Sequence, residues 1–282
     1  STLDRSSAAS DVYKRQVLMM QKNEHDLLPI WLDFNGFQFG FSNLYVWDNG
    51  SDVKCKEILR EYERLGVNVV YWMNHEIDFR RKGVILGEKI KELDRTADYD
   101  FYLPLDCDEF VAVESGPSSV RFDMKAICAE LSAYEDEGRP LGVEWAYYNI
   151  PDQPSRFLRT PHKKTIFRAR TFRVMDHGYH EGRSQTSDEK VLTKLVYVHY
   201  HNKPHELVVE HSKAKLRPYF DIDDPSVLNE KVREGNRLAK LIVEPKSSYM
   251  TRFHNIESVE LLNLSHFFSA LGLNTPFYKK PS

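Results

Sequence analysis

VLMMQKNEHDLLPIWLDFN, residues 17–35, changes periodicity within its own length. Val17–Gln21 reads as a strand, and its continuous apolar run Val17-Leu18-Met19-Met20 is the pattern of one buried on both faces. Lys22-Asn23-Glu24 interrupts it. Leu27, Ile30, Trp31 and Phe34 then recur at helical spacing, with Pro29 tolerable in the first turn. The same exchange repeats downstream. Leu44–Trp47 reads as a second strand. A helix capped by Ser51 or Asp52 follows, carrying Val53, Ile58, Leu59, Tyr62 and Leu65 and closed by Gly66. Val67–Trp72 is the third strand, residues 83–95 a helix weakened by Gly83 and Gly87, and Tyr99–Leu105 the fourth strand. Pro104 has no N–H, so that strand must offer it an edge or a non-bonded position.

Strands alternating with helices predict an α/β chain with a mainly parallel sheet and helices on both faces. Beyond residue 110 the pattern changes. Asp123–Tyr134 is helical, and strand-like runs cover Leu141–Tyr148, Thr165–Phe172 and Leu192–Tyr200, with a loop marked by Pro151, Pro154 and Pro161. Pro204–Leu216 and residues 226–243 read as helices, and the tail from 244 is mixed.

The 282 residues suffice for one large domain, and a hydrophobic fraction of 41% can build its core. A net charge of −3 gives no general pull toward nucleic acid. Cys55, Cys107 and Cys128 are odd in number and match no zinc or redox spacing, which points to free thiols in a reducing cytoplasm. No apolar run reaches the ~18–20 residues of a membrane span. Residues 1–16, STLDRSSAASDVYKRQ, read as a non-native linker or a disordered native tail, outside the fold.

Open parallel sheets bind ligands at the carboxyl ends of their strands. The first strand ends in Lys22-Asn23-Glu24, the second in Asp48-Asn49-Gly50-Ser51, and the fourth in Asp106-Cys107-Asp108-Glu109. Singly these are ordinary turns, but they fall at one edge of one sheet. If the fourth segment stays extended, Asp106 and Asp108 face the same way and present two hard oxygen donors suited to Mg²⁺ or Mn²⁺. Cys107 then turns into the fold, and Glu109 points inward to orient a neighbour. Asp48 can accept hydrogen bonds from a base or ribose.

These three segments, VLMMQKNEHDLLPIWLDFN, LYVWDNGSD and YDFYLPLDCDEF, resemble the nucleotide-binding half of family 2 glycosyltransferases, especially the branch near family 92. The resemblance covers residues 17 to about 113. It implies a GT-A (Rossmann-like) fold, a nucleotide-sugar donor, UDP-linked, a Mn²⁺ or Mg²⁺ cofactor and transfer with inversion. By position it gives Glu24 and Asp48 to the nucleotide, Lys82 and Gly83 to a loop closing over the donor, and Asp106 and Asp108 to the metal and diphosphate. It also implies a setting in surface-polysaccharide or glycan assembly, with a glycan or lipid-linked acceptor and peripheral contact with the inner membrane. The chain divides accordingly into a donor half (17–113), an acceptor-side half (114–243) and a tail packed on the domain (244–282).

In the second half, Lys163 reads as a solvated strand edge and Arg168 is open. Asp176 and Glu181, in a glycine-flanked polar loop, are the candidates for the carboxylate that takes the acceptor's proton. His199 ends an apolar strand and can complete a metal's coordination. His201 is read as facing the other way. Nucleotidyl transfer is the nearest competitor, but it wants a glycine-rich loop after the first strand, where Lys22-Asn23-Glu24-His25 stands. A non-catalytic nucleotide-sugar-binding domain is another, and a glycoside hydrolase would need neither the Asp48 turn nor a metal pair.

Overall fold

In the computed structural model, residues 15–116, 118–254 and 256–278 are described. Residues 1–14 of the expected leader lie outside them. The leader's boundary moves, because Arg15 and Gln16 already belong to the first strand and are buried there.

The first half alternates β1 (Arg15–Gln21), α1 (Leu28–Phe39), β2 (Leu44–Asp48), α2 (Val53–Glu63), β3 (Asn68–Val70), α3 (Glu76–Arg80), α4 (Lys82–Thr96) and β4 (Phe101–Pro104). The strands lie in the order β3-β2-β1-β4, all parallel. Strand order reverses between β1 and β4, which makes the crevice beyond their carboxyl ends a topological switch point. The alternation of β1 explains its unbroken apolarity. Val17 and Met19 pack with α1 and α2 through Trp31, Leu32 and Leu59. Leu18 and Met20 pack with α4 through Leu86 and Ile90. Helices therefore cover both faces, as the periodicity predicts. Asp52, not Ser51, caps α2, its side chain accepting from Cys55 N at 3.0 Å.

Pro104 sits in an interior strand, not at an edge. Leu105 N donates to Leu18 O, so the Pro104 nitrogen faces away from β1, and pairing on that other side reaches only to Tyr102. The non-bonded position is what makes proline tolerable.

The second half adds β5 (Glu109–Gly116), β6 (Ser119–Arg121), α5 (Met124–Ser132), β7 (Leu141–Ile150), β8 (Gln153–Arg168), β9 (Phe172–Met175), β10 (Gly182–Ser184), β11 (Val191–Leu192) and β12 (Leu195–His199). The sheet continues as β4-β8-β7-β12-β5-β6, with antiparallel pairs at β4–β8, β7–β8, β12–β5 and β5–β6. It is parallel in its first half and mixed beyond. The proline-marked loop is not a loop: β7 and β8 form a long hairpin, and Pro154 and Pro161 lie within β8. Pro154 falls inside a register shift, between the partners of Ile150 and Asn149, and Pro161, the partner of Trp145, borders a second shift that lies between it and Lys164. A bulge removes the ladder bond that proline cannot make.

The chain closes with α6 (His205–Leu216), α7 (Pro225–Arg233), α8 (Arg237–Val243), α9 (Lys246–Thr251), β13 (Val259–Glu260) and α10 (Leu262–Ala270). The single helix expected over 226–243 is two, parted at Gly235 (φ +88°) and restarted by the Asn236 cap. Leu264 and Phe268 of α10 join the same core as β1 and α1. No helix among the described residues is long and apolar enough to cross a membrane.

One close approach ties the two halves together. A Cβ on Gly83, at the start of α4, would lie 2.3 Å from Asp176 O, a backbone atom that cannot swing aside. Gly83→Ala should therefore cost about 1–3 kcal/mol through overpacking, read as a lower midpoint in denaturant unfolding.

Candidate functional site at the carboxyl ends of β1, β2 and β4

β2 ends in Asp48, which is fully buried. Its Oδ1 accepts from Gln21 Nε2 at 2.9 Å and its Oδ2 from Ser51 N at 3.1 Å. Gln21, the last residue of β1, also reaches Ser51 Oγ at 3.3 Å, so two strand ends are stitched side to side. Glu24 follows β1. Its carboxylate pairs with Lys203 Nζ at 2.8 Å, and its backbone oxygen accepts from Leu28 N at the head of α1.

The segment after β4 does not run straight on. Asp106–Glu109 folds into a turn, with Glu109 N donating to Asp106 O at 3.1 Å and Asp106 N donating to Glu109 Oε2 at 2.9 Å. The extended alternation expected for the two aspartates is thereby lost. Their carboxylates serve different partners. Asp106 Oδ1 lies 2.6 Å from Lys82 Nζ and Oδ2 lies 2.7 Å from Lys164 Nζ. Asp108 Oδ2 lies 3.1 Å from His199 Nε2 and 3.8 Å from His201 Nδ1. Cys107 is buried, as expected for it. Glu109 is wholly buried too, with Oε1 3.0 Å from Lys164 Nζ and 3.5 Å from His162 Nε2. All three cysteines are free.

Lys164 thus bridges two carboxylates at 1% exposure. Burial pushes its ammonium's pKa down, but Glu109 and Asp106 outweigh burial and hold it above the ordinary lysine value. Burial raises Glu109 in turn, and Lys164, His162 and His199 outweigh it and hold that carboxyl below the usual range. At Asp108 burial is again opposed and overcome, by His199 and His201, and the carboxyl stays well below its usual value. His199 moves upward, since Asp108 outweighs burial.

The loop after β9 forms the floor under the cations. The Tyr179 ring, fully buried, lies 4.6 Å from Lys82 Nζ and 5.0 Å from Lys164 Nζ, and its backbone oxygen accepts from Thr165 N at 2.9 Å. Asp176 belongs to this loop and spends its carboxylate on it, accepting from Glu181 N at 2.9 Å and Gly178 N at 3.2 Å. Glu181 is largely exposed and pairs with Lys163 and Lys190 at 3.5 and 3.3 Å. Lys163 is itself exposed, as a solvated position should be, but β8 lies between β4 and β7 and is not an edge strand.

Sequence reading missed three participants. Lys164 and His162 flank the exposed Lys163 in β8, and alternation about that residue was the signal available. His201 is a correction: residues i and i+2 share a face, so it stands on the His199 side and not opposite. Tyr200 between them turns the other way, into the core against Phe110 and Phe268. A cleft of about 220 Å³ lies elsewhere, before β4, among Asp98, Asp100, Arg168 and Arg170. None of the strand-end groups lines it.

No family model matches the chain, and no curated protein sequence matches it. Among solved structures it is similar to S. aureus TarS, at 13% identity and TM-score 0.38, over 74% of this chain and 40% of that one. It is similar to mannosyltransferase PcManGT from Pyrobaculum calidifontis, solved with GDP-Man and Mn²⁺, at 14% identity and TM-score 0.37, over 94% and 81%. It is also similar to a cytidylyltransferase from Leptospira borgpetersenii serovar Hardjo-bovis, at 13% identity and TM-score 0.30, over 56% and 61%. The chain therefore spans less than two thirds of the first and last of these proteins. At such distances a likeness assigns no activity.

Removing the bridging ammonium leaves two buried carboxylates without it. Lys164→Met should destabilise the chain by about 3–5 kcal/mol near neutral pH, and the double variant Lys164→Met/Glu109→Gln should recover much of that loss. Glu109's folded-state pKa is depressed, so its contribution is present above the usual carboxylate range and fades as pH falls through that range and below. The gap between wild type and Lys164→Met should narrow over the same acid interval in urea unfolding.

Proposed function

We propose that the chain transfers a sugar from a nucleoside-diphosphate donor, UDP-linked in the first instance, to an acceptor hydroxyl with inversion at the anomeric carbon. The observation that carries this reading is the convergence of Lys82, Lys164, Asp106, Asp108 and His199 beyond the carboxyl ends of parallel strands, at the switch point between β1 and β4. A nucleoside diphosphate asks for this combination: cations for its phosphates, a divalent ion, and carboxylates for its ribose and base. Asp48, Gln21 and Glu24 stand on the β1–β2 side, where the nucleoside would lie, and Lys82 sits at the start of the helix that would flank the diphosphate.

In the transfer, the acceptor oxygen forms a bond to the anomeric carbon as the bond from that carbon to the diphosphate breaks. The diphosphate leaves with the electron pair, and the acceptor proton passes to a carboxylate. Asp176 and Glu181 are the candidates for that carboxylate, the first held by the N–H groups of Glu181 and Gly178, the second more exposed and paired with Lys163 and Lys190. Lys82 meets the charge that grows on the leaving group, and the Lys164 bridge keeps Asp106 fixed while it does so. A divalent cation, Mn²⁺ or Mg²⁺, would neutralise the departing diphosphate when bound. Asp108 and His199 fit it, with a carboxylate oxygen and an imidazole nitrogen 3.1 Å apart. Asp106 fits less well, since both its oxygens already face ammonium groups. Residues 17–113 would then be the donor half, 114–243 the acceptor side and 244–282 a tail packed against them. A glycan or lipid-linked acceptor in polysaccharide assembly, met in the cytoplasm or at a membrane surface, suits such an activity.

A panel of nucleotide sugars, assayed for Mn²⁺-dependent release of nucleoside diphosphate, tests the reading. Wild type should hydrolyse or transfer one donor of the panel, and Asp108→Ala should lose about 100-fold or more of that rate. Equal rates for the two proteins, or no turnover of any donor, would remove the assignment.

A further inference from the structure

We infer that Asp108, His199 and His201 form a divalent-metal site of one oxygen and two nitrogen donors, which binds its ion before any nucleotide arrives, with Asp106 outside the coordination sphere. This rests on the proposed transfer only for its purpose; the site itself stands on the geometry of the three side chains.

One candidate ligand atom from each residue lies within 4.8 Å of the others. Two ligands about 2.1 Å from one metal, at roughly 90–120° to each other, stand about 3.0–3.6 Å apart. Asp108 Oδ2 to His199 Nε2, at 3.1 Å, is inside that range, and Asp108 Oδ2 to His201 Nδ1, at 3.8 Å, needs a movement of only a few tenths. The backbone sets up this approach. Glu109 and His199 are register partners of the antiparallel β5–β12 pair, and Tyr200 N donates to Asp108 O at 2.8 Å. That bond falls between the two histidines, so Asp108 is clamped opposite both. Tyr200, fully buried, locks the alternation by filling the core face. His201 is more than half exposed, which leaves open positions on the solvent side for phosphate oxygens.

His199 carries a second pointer. It is 7% exposed, and its Nδ1 has no hydrogen-bond partner. Glu109 Oε1 stands 3.9 Å behind that nitrogen. A carboxylate that accepts from the second nitrogen of a ligating histidine fixes its tautomer; at 3.9 Å Glu109 makes no such bond, and it becomes a positioning residue only if the two close by about 1 Å. The neighbouring group Glu109, His162 and His199 also clusters its donor atoms. It is a poorer site, because Lys164 Nζ sits 3.0 Å from Glu109 Oε1 and would oppose a cation there. The same ammonium, with Lys82, occupies Asp106.

Two imidazoles change the preferred ion. Nitrogen donors favour Mn²⁺, Co²⁺ and Zn²⁺ over Mg²⁺, which prefers oxygen and keeps its waters. The test uses the full chain freed of metal by a chelator and titrated with Mn²⁺ in the absence of nucleotide, followed by electron paramagnetic resonance. One ion should bind per chain. Pulsed measurements should show coupling to two imidazole nitrogens in wild type and to one in His201→Ala, with at least about tenfold weaker affinity in that variant. Zn²⁺ and Co²⁺ should displace the bound Mn²⁺, and an equal concentration of Mg²⁺ should not. Folded Asp106→Asn, checked by circular dichroism, should keep wild-type affinity for Mn²⁺. Absence of Mn²⁺ binding without nucleotide, coupling to fewer than two nitrogens in wild type, or an unchanged affinity in His201→Ala would overturn the site. The wild-type nitrogen couplings decide the matter even if a variant fails to fold. Metal bound as described, but with no nucleotide sugar turned over, would instead sink the transfer reading and leave the site standing.

Discussion

The Lys164 ammonium, buried between Asp106 and Glu109, is the contact on which the geometry of the strand ends depends. Two carboxylates three residues apart in a tight turn repel each other, and burial makes that repulsion larger. Asp106 also stands two residues from Asp108 in sequence. A single cation from β8 offsets the first pair, and a second, Lys82 from α4, completes Asp106. The backbone holds the same turn, through Glu109 N to Asp106 O and Tyr200 N to Asp108 O, and the two ammonium groups offset the charge gathered in it. The charge network therefore links the parallel half of the sheet, which carries the turn, to the antiparallel half, which carries Lys164 and His199.

That link explains features that otherwise look unrelated. The register shift between Pro161 and Lys164 gives β8 one extra residue there, at His162–Lys163, which re-aims the side chains around it. Tyr179 adopts a positive φ of 60°, an uncommon conformation for a bulky residue, where its ring contacts both ammonium groups. Gly83 lets α4 approach the Asp176 backbone, and Lys82 precedes it directly. Each is a local exception to ordinary packing, and each lies beside Lys82 or Lys164 in the chain or against them in space.

The parallel half was legible because its signals are local. Val17–Met20 and Leu44–Trp47 are apolar without a break, their helices have caps or prolines in the right places, and polar residues begin at each strand's last position. The edge that collects Glu24, Asp48 and Asp106 followed from topology alone. What sequence could not give was decided by long-range pairing. The turn at Asp106–Glu109 is held by Glu109 folding back, and Glu109 is set by Lys164, which is 55 residues later in the chain. The β7–β8 hairpin hid behind prolines, since a bulge that accepts proline leaves no mark of its own in composition. His201 needed only the rule that alternate residues share a face. The helix over 226–243 looked continuous because Gly235 by itself costs a helix little, whereas Gly235 with the Asn236 cap ends one and begins another.

The most direct measurement is a crystal structure of the chain with UDP and Mn²⁺, using anomalous scattering to locate the metal. Manganese should lie against Asp108 and the histidines of β12's carboxyl end, with the diphosphate beyond β1 and β4 within reach of Lys82. Nucleotide lodged in the cleft of Asp98 and Arg170, or manganese remote from Asp108, would contradict it.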